Sequence, residues 1–280
     1  LPPFGHVGSG IYRGRLEALY GVWDFVKNST ADYVVLSDCD VVTNIDYEPI
    51  VEQHINSRAD ITVVYGKSIL TMEQARSSTV VAVDDNNRIY DVLINPQISG
   101  ACDISLNMFV TSKEFLKNIV LEAASRSLYS FEKDILQAHV KDYKIVGYKH
   151  EGYFSKIDGT NSYYKANMSL LNSDIREKLF LSESPIYTKI RDNAPAKYGI
   201  DASVKNSMIA DGCIIEGTVE NSILFRGVKV AKGATIKNSI LMQDTVIGHK
   251  CDINYVITDK KVMIGNYRLL TGSQFYPLFV

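Results

Sequence analysis

Val204-Lys-Asn-Ser-Met-Ile209, Val219-Glu-Asn-Ser-Ile-Leu224 and Ile236-Lys-Asn-Ser-Ile-Leu241 are copies of one hexad. They recur at offsets of 15 (204 to 219) and 17 (219 to 236). Between them lie further hexads that each end in an aliphatic residue: 210–215, 225–230, 231–236, 242–247 and 248–253. Three hexads close one coil of a parallel β-helix, and the terminal Val, Ile or Leu of each stacks on its equivalent one coil away. Val204, Val219, Ile236 and Ile253 are therefore expected in one internal column. Gly212, Gly227 and Gly233 read as equivalent corner positions, where a missing Cβ eases the turn. Unrelated antiparallel strands would not repeat aliphatic-x-Asn-Ser-aliphatic-aliphatic at near-constant offset.

Upstream the pattern differs. Tyr33-Val-Val-Leu36, Ile61 to Tyr65 and Ser105 to Val110 are short apolar runs, as in strands buried on both faces. Leu16, Leu19, Tyr20, Trp23 and Val26 recur at three- and four-residue steps and make one helix face. Phe115, Leu116, Ile119 and Val120 make another, with Ser112 as its N-cap. Strands alternating with helices predict a mostly parallel sheet covered on both sides. The expected division is an α/β domain over 1–172, a connection over 173–197 that contains Pro185 and Pro195, and the β-helix over 198–280.

The bulk numbers exclude several classes. Thirty Lys and Arg against 32 Asp and Glu give a net charge of −2 with no long single-sign block, which argues against nucleic acid as a partner. No apolar run approaches the roughly 20 residues of a membrane span. Cys39, Cys102, Cys213 and Cys251 lie far apart without CxxC or Cys/His patterning, so free thiols and a cytoplasmic location are expected.

Asp38-Cys39-Asp40 directly follows the run 33–36. Ligands of open α/β sheets sit at the carboxyl ends of strands, where a carboxylate can hold Mg²⁺. The competing reading is an aspartate that only caps a strand-to-loop turn. Tyr12-Arg13-Gly14 precedes the first helix, a place where an anion can approach backbone amides. No glycine-rich phosphate loop and no Ser/His/Asp grouping occurs.

Tyr12-Arg-Gly14, Tyr33 through Tyr47, Tyr163-Tyr-Lys-Ala-Asn-Met-Ser-Leu-Leu171, Pro195 to Gly199, Ala210 to Gly217, Leu224 to Val228 and Met242 to Thr245 resemble segments of the glucose-1-phosphate adenylyltransferase family. The likeness runs over nearly the whole chain. It implies an N-terminally truncated, Rossmann-like nucleotidyltransferase domain followed by a left-handed parallel β-helix of hexapeptide repeats. It also implies an opening strand and glycine-rich loop ahead of Leu1, so the chain is expected to begin in mid-domain.

The family reaction joins ATP and glucose 1-phosphate into ADP-glucose and diphosphate. Positioning and charge neutralisation carry such a transfer. The family pattern places a first metal-binding aspartate at Asp40. Aligned without gaps, it places the second at Lys156, a cation where Mg²⁺ needs an anion; a shift of one residue brings Ile157, no ligand either. The sugar-phosphate lysine falls on Asn95, and the family's Ser-Met-Gly-Ile-Tyr reads Ser105-Leu-Asn-Met-Phe109. Arg15-Leu-Glu-Ala18 stands where catalytic members have Thr-Ala-Asp-Ala.

The resemblance is thus to the regulatory glycogen-biosynthesis subunits of the GlgD type. Tyr12, Arg13 and Gly14 become the nucleotide-binding candidates, Asn95 and Ser105 a degenerate sugar-phosphate region, and Asp40 a vestigial metal ligand. Mg²⁺ is expected to be unbound. The implied partner is a catalytic adenylyltransferase subunit in a homo- or hetero-oligomer, a tetramer in the full assembly. The aromatic tail Tyr267, Phe275, Tyr276 and Phe279 is expected at subunit contacts, with a cap on the last coil as the alternative. The rival readings are an active adenylyltransferase with a remodelled site, a β-helix acetyltransferase fusion that lone His249 supports poorly, and a non-enzymatic sugar-nucleotide binding protein.

Overall fold

The computed structural model describes residues 12–180 and 183–280. It separates into two compact units, residues 1–41 with 45–152 and residues 42–44 with 153–280. Among the described residues no helix is long and apolar enough to cross a membrane.

The first unit begins with α1 (Arg15–Gly21) and α2 (Trp23–Asn28), so the single helix face read over 16–26 is broken at Val22. Leu16 and Leu19 are buried while Tyr20 is exposed. Strand β1 (Tyr33–Ser37) leads through Asp38 to Asp40 into β2 (Val41–Thr43). Then follow α3 (Glu48–Ser57), β3 (Ile61–Leu70), α4 (Met72–Ala75), β4 (Thr79–Val83), β5 (Ile89–Ile94) and β6 (Gly100–Ser112). Helix α5 (Lys113–Arg126) comes next, and the Ser112 hydroxyl caps it by accepting the Phe115 N–H at 3.1 Å. A π-helix (Phe131–Gln137) and β7 (Ile145–Lys149) complete the unit.

The sheet order is β5-β4-β6-β3-β7, with β1 also paired to β6. Of these pairings only β3 with β7 is parallel. The β1–β6, β3–β6, β4–β5 and β4–β6 pairings are antiparallel. The expectation of a mostly parallel sheet is therefore corrected among the described residues. Three of the four antiparallel pairings involve β6, which runs against β1, β3 and β4, and the fourth is a hairpin the apolar runs did not reveal: Asp84 Oδ1 accepts the N–H groups of Asn86 at 2.9 Å and Arg88 at 2.8 Å, which folds β4 back on β5. Nor is β1 buried on both faces, since Val35 is 38% exposed while Leu36 is buried. Leu36, Ile61, Val63, Phe109, Leu116, Ile119, Phe131 and Ile145 share one apolar core that links sheet, α5 and π-helix.

In the second unit, β8 (Phe154–Lys156) pairs with β2 and precedes α6 (Thr160–Ser169) and α7 (Ser173–Leu179). Both helices group with the β-helix in the compact unit that takes in residues 153–280. The β-helix itself matches the hexad reading. Its three parallel sheets are built from strands beginning at 203, 218, 235, 252 and 269, at 208, 223, 240, 256 and 278, and at 197, 214, 229, 246 and 263. Val204, Val219, Ile236 and Ile253 pair in one column. The last three are fully buried, whereas Val204 is 37% exposed because it heads its sheet.

The repeated Asn-Ser explains itself at atomic detail. Asn206, Asn221 and Asn238 turn the corner at φ 44, 45 and 46°, a left-handed conformation Asn tolerates. Each following serine donates to the carbonyl two residues back: Ser207 to Lys205 at 2.9 Å, Ser222 to Glu220 at 2.7 Å and Ser239 to Lys237 at 2.6 Å. Each also accepts a backbone N–H from the next coil, from Ser222, Ser239 and Val256 in turn, all at 3.1 Å.

The glycine reading needs one correction. Gly212 stacks under Gly227, but Gly233 lies on the following corner, under Lys250. That corner is Glu216-Gly217 in the first coil and the longer Ala231-Lys-Gly-Ala234 in the next, which also accounts for the step from 15 to 17 residues. Helix α6 covers the outer face of one sheet. Tyr164 is buried against Ile240 and Ile257, and its hydroxyl donates to the Asn238 carbonyl at 2.7 Å. The tail side chains Tyr267, Phe275, Tyr276 and Phe279 are exposed.

Candidate functional site

Tyr12, Arg13 and Gly14 lead into α1, whose Arg15 is tied to Asp38 at the end of β1. Gly14 is required there by close approach, since a Cβ would sit 2.2 Å from the Tyr129 carbonyl oxygen. That same oxygen accepts the Leu16 N–H at 3.1 Å. The loop carrying Tyr129 is fixed in turn by Asp134, whose Oδ2 accepts the N–H groups of Tyr129 and Ser130, both at 2.9 Å.

Arg15 is the centre of the arrangement. Its Nη1 donates to Glu132 Oε1 at 2.6 Å, at the start of the π-helix, and its Nη2 donates to Asp38 Oδ2 at the end of β1. The guanidinium lies 4.9 Å from the centre of the Phe109 ring. One cation between two carboxylates leaves the cluster net negative, unsuited to a polyphosphate. A cavity of about 460 Å³ is lined by Tyr12, Gly14, Arg15, Ala18, Asp38 and Glu132. The Tyr12 hydroxyl is buried without a hydrogen-bond partner among the described residues.

Arg13 is committed locally. Its backbone N–H donates to Glu17 Oε2 at 2.6 Å, its Nη2 pairs with Glu17 Oε1 at 2.9 Å, and it covers the Tyr129 ring at 3.9 Å. Hydrogen bonding to Arg13 holds the Glu17 carboxyl below its usual range, and Glu17 raises the Arg13 guanidinium correspondingly.

Asp40 meets the segment that begins at Ser105. Asn107 Nδ2 donates to Asp40 Oδ2 at 3.2 Å, while Asp40 Oδ1 is buried with no partner among the described residues. Asn107 sits at φ 56° beside a bulge, where Val64 faces Met108 and Tyr65 faces Ser105. Ser105 is fully enclosed, and its hydroxyl accepts the Asn107 N–H at 3.2 Å. It supports the bulge and is not presented to a ligand.

Asn95 lies apart, exposed at the end of β5 with φ 51°, its N–H donated to the Ser78 carbonyl at 3.0 Å. Lys156 ends β8 in the other unit.

The Mg²⁺ that the resemblance implies does not fit these residues. An amide N–H points at Asp40 Oδ2, where a cation would need an acceptor alone. Among the described residues no three His, Cys, Asp or Glu side chains come close enough to hold a metal. Spacing had pointed to Tyr12, Arg13, Gly14 and Asp40. It could not point to Glu132 or Asn107, which meet their partners across 117 and 67 positions.

An α/β sheet ending in such a site, joined to a hexapeptide β-helix, defines the class. A nucleotidyl transferase family model matches residues 8–173, and a GlmU-like C-terminal hexapeptide model matches 194–270. The chain belongs to the nucleotidyl transferase family. It is 32% identical over 255 residues to the glycogen biosynthesis protein GlgD of Bacillus subtilis, which covers 91% of this chain and 64% of that protein. Glucose-1-phosphate adenylyltransferases are similarly related. That of Clostridium perfringens (strain SM101) is 30% identical over 88% of this chain and 64% of its own length, and that of Clostridium botulinum (strain Alaska E43) is 33% identical over 86% and 63%. The chain thus spans about 64% of the length of the relatives it matches.

Proposed function

We propose that this chain is a non-catalytic, regulatory subunit of glucose-1-phosphate adenylyltransferase in glycogen synthesis, working in the cytoplasm in a hetero-oligomer with a catalytic partner. The observation that carries the reading is the state of Asp40, the first metal ligand by resemblance, with one oxygen hydrogen-bonded to an amide and the other sealed from solvent. Lys156 and Asn95, standing by resemblance where the reaction needs an anion and a cation, support it, as does likeness to a protein named for glycogen biosynthesis. On this reading Mg²⁺ is not held here, and Tyr12, Arg13 and Gly14 are remnants of a nucleotide site.

The test is ADP-glucose synthesis by the full-length protein alone, by a catalytic subunit alone, and by both. Losing one charge-assisted phosphate contact at about 2–3 kcal/mol predicts roughly a hundredfold lower rate for the protein alone. The mixture should differ from the catalytic subunit in rate or effector response. Normal turnover by the protein alone would favour the remodelled-site reading. Tight ADP-glucose binding with neither turnover nor a partner effect would favour a binding protein.

A further inference from the structure

We infer that the Asn107 carboxamide is the group that keeps a divalent cation off Asp40. This rests on reading Asp40 as a remnant metal ligand and deepens it by naming the residue that closes the site.

The hydrogen bond fixes the orientation of the amide. Turned the other way, Asn107 would set its carbonyl oxygen against the Asp40 carboxylate, so the N–H group faces it at 3.2 Å. A hard cation takes oxygen ligands only, and a donor hydrogen aimed at the same carboxylate competes for the position the ion would use. Asp40 Oδ1 remains a buried acceptor with no donor among the described residues. A buried carboxylate oxygen without a partner calls for a physical cause, and a capped ion site supplies one.

The backbone makes Asn107 an added obstacle and not a structural need. At φ 56° glycine is the least strained residue, and the bulge is held by the Asn107 N–H on Ser105 Oγ and by the Asp38 N–H on the Asn107 carbonyl at 3.4 Å. None of these contacts uses the Asn107 side chain. Asn107→Gly therefore removes the cap while keeping the turn. Asn107→Asp keeps the shape but exchanges the donor for a second anionic acceptor.

The experiment is Mn²⁺ titration of the full chain by electron paramagnetic resonance, for wild type, N107G, N107D and D40N/N107D, with thermal melts to confirm folding. N107G and N107D should each bind Mn²⁺ at least about tenfold more tightly than wild type, the scale on which a group hydrogen-bonded to a ligand changes metal affinity, and D40N/N107D should return to the wild-type level. Wild type binding as tightly as the variants would overturn the inference. So would a gain in N107D alone, because the added charge and not the lost amide would then make the site. A gain that survives Asp40→Asn would overturn it as well, as would weaker binding by N107G, which would make Asn107 a ligand. Binding is read on this chain without a partner, so its outcome stands apart from the synthesis assay that tests the regulatory role.

Discussion

The Ser222 hydroxyl accepts the backbone N–H of Ser239, one coil away, at 3.1 Å while donating to the Glu220 carbonyl at 2.7 Å. Both serines are fully buried, so the Ser239 N–H depends on this hydroxyl, while the Glu220 carbonyl also accepts the Asn238 N–H at 3.1 Å. Ser222→Ala leaves a buried N–H without an acceptor and should cost about 1–3 kcal/mol. Urea denaturation should show the loss, and amide hydrogen exchange should show it localised at Ser239. Unchanged exchange there would mean the corner is held by stacking alone.

Ile236 lies between Val219 and Ile253 in the central aliphatic column. Ile236→Asp would bury an uncompensated charge at a site with no solvent exposure, at a cost of several kcal/mol, roughly 3–5. The β-helix should then become the preferred site of limited proteolysis, with the strand signal in circular dichroism reduced. A protease-resistant variant would show that the column tolerates local opening.

How much of this was legible in the sequence follows from where each signal lives. The β-helix repeats its own hexad, so the pairing of 204, 219, 236 and 253 could be read from spacing alone. Gly233 was misplaced because two extra residues entered one corner, and a count by hexads does not show which corner takes them. Strand direction in the first unit was hidden, because apolar runs carry no direction and the Asp84 turn lay between runs read separately. Asp40 was legible from its place after β1. The Asn107 amide and the Arg15–Glu132 pair were not, since such contacts arise from the folded chain and leave no local period.

Tyr164 gives a pH test of the α6 contact. Burial, with a smaller contribution from Tyr255, pushes its phenol up to about 12 from an ordinary value near 10. In the unfolded chain the proton leaves above about pH 10, while in the fold it stays until about pH 12. The stabilisation is therefore whole below pH 10 and is lost as pH rises through that window, by up to roughly 2–3 kcal/mol at about 1.4 kcal/mol per unit. The measurement is the difference between wild type and Tyr164→Phe in urea midpoint from about pH 9 to 12, which isolates this one phenol. The phenylalanine variant should start about 1 kcal/mol lower through its lost bond to the Asn238 carbonyl, then draw level and overtake wild type as pH rises. A constant gap would show that the phenol titrates normally.

The Arg15 cluster allows a sharper dissection, because one guanidinium serves Asp38 and Glu132 together. Its side chain is 17% exposed and that of Glu132 is 20% exposed, between the surface pairs worth about 0–1 kcal/mol and the buried ones whose rupture costs about 3–5. Arg15→Met should thus cost about 2 kcal/mol, much of it from leaving Glu132 half-buried beside Asp38 without a counter-ion. Glu132→Gln added to it should recover most of the loss, since the uncompensated charge is gone while its shape remains. Arg15→Lys separates charge from geometry. A lysine carries the same charge but cannot span two carboxylates with a planar fork, so it should fall between wild type and Arg15→Met. The comparison is made by thermal melts at low and high salt. Arg15→Lys matching wild type would reduce the cluster to simple charge neutralisation. An additive double variant would mean that Glu132 does not depend on Arg15, and that the π-helix is positioned instead by Asp134 and the Phe131 core contact.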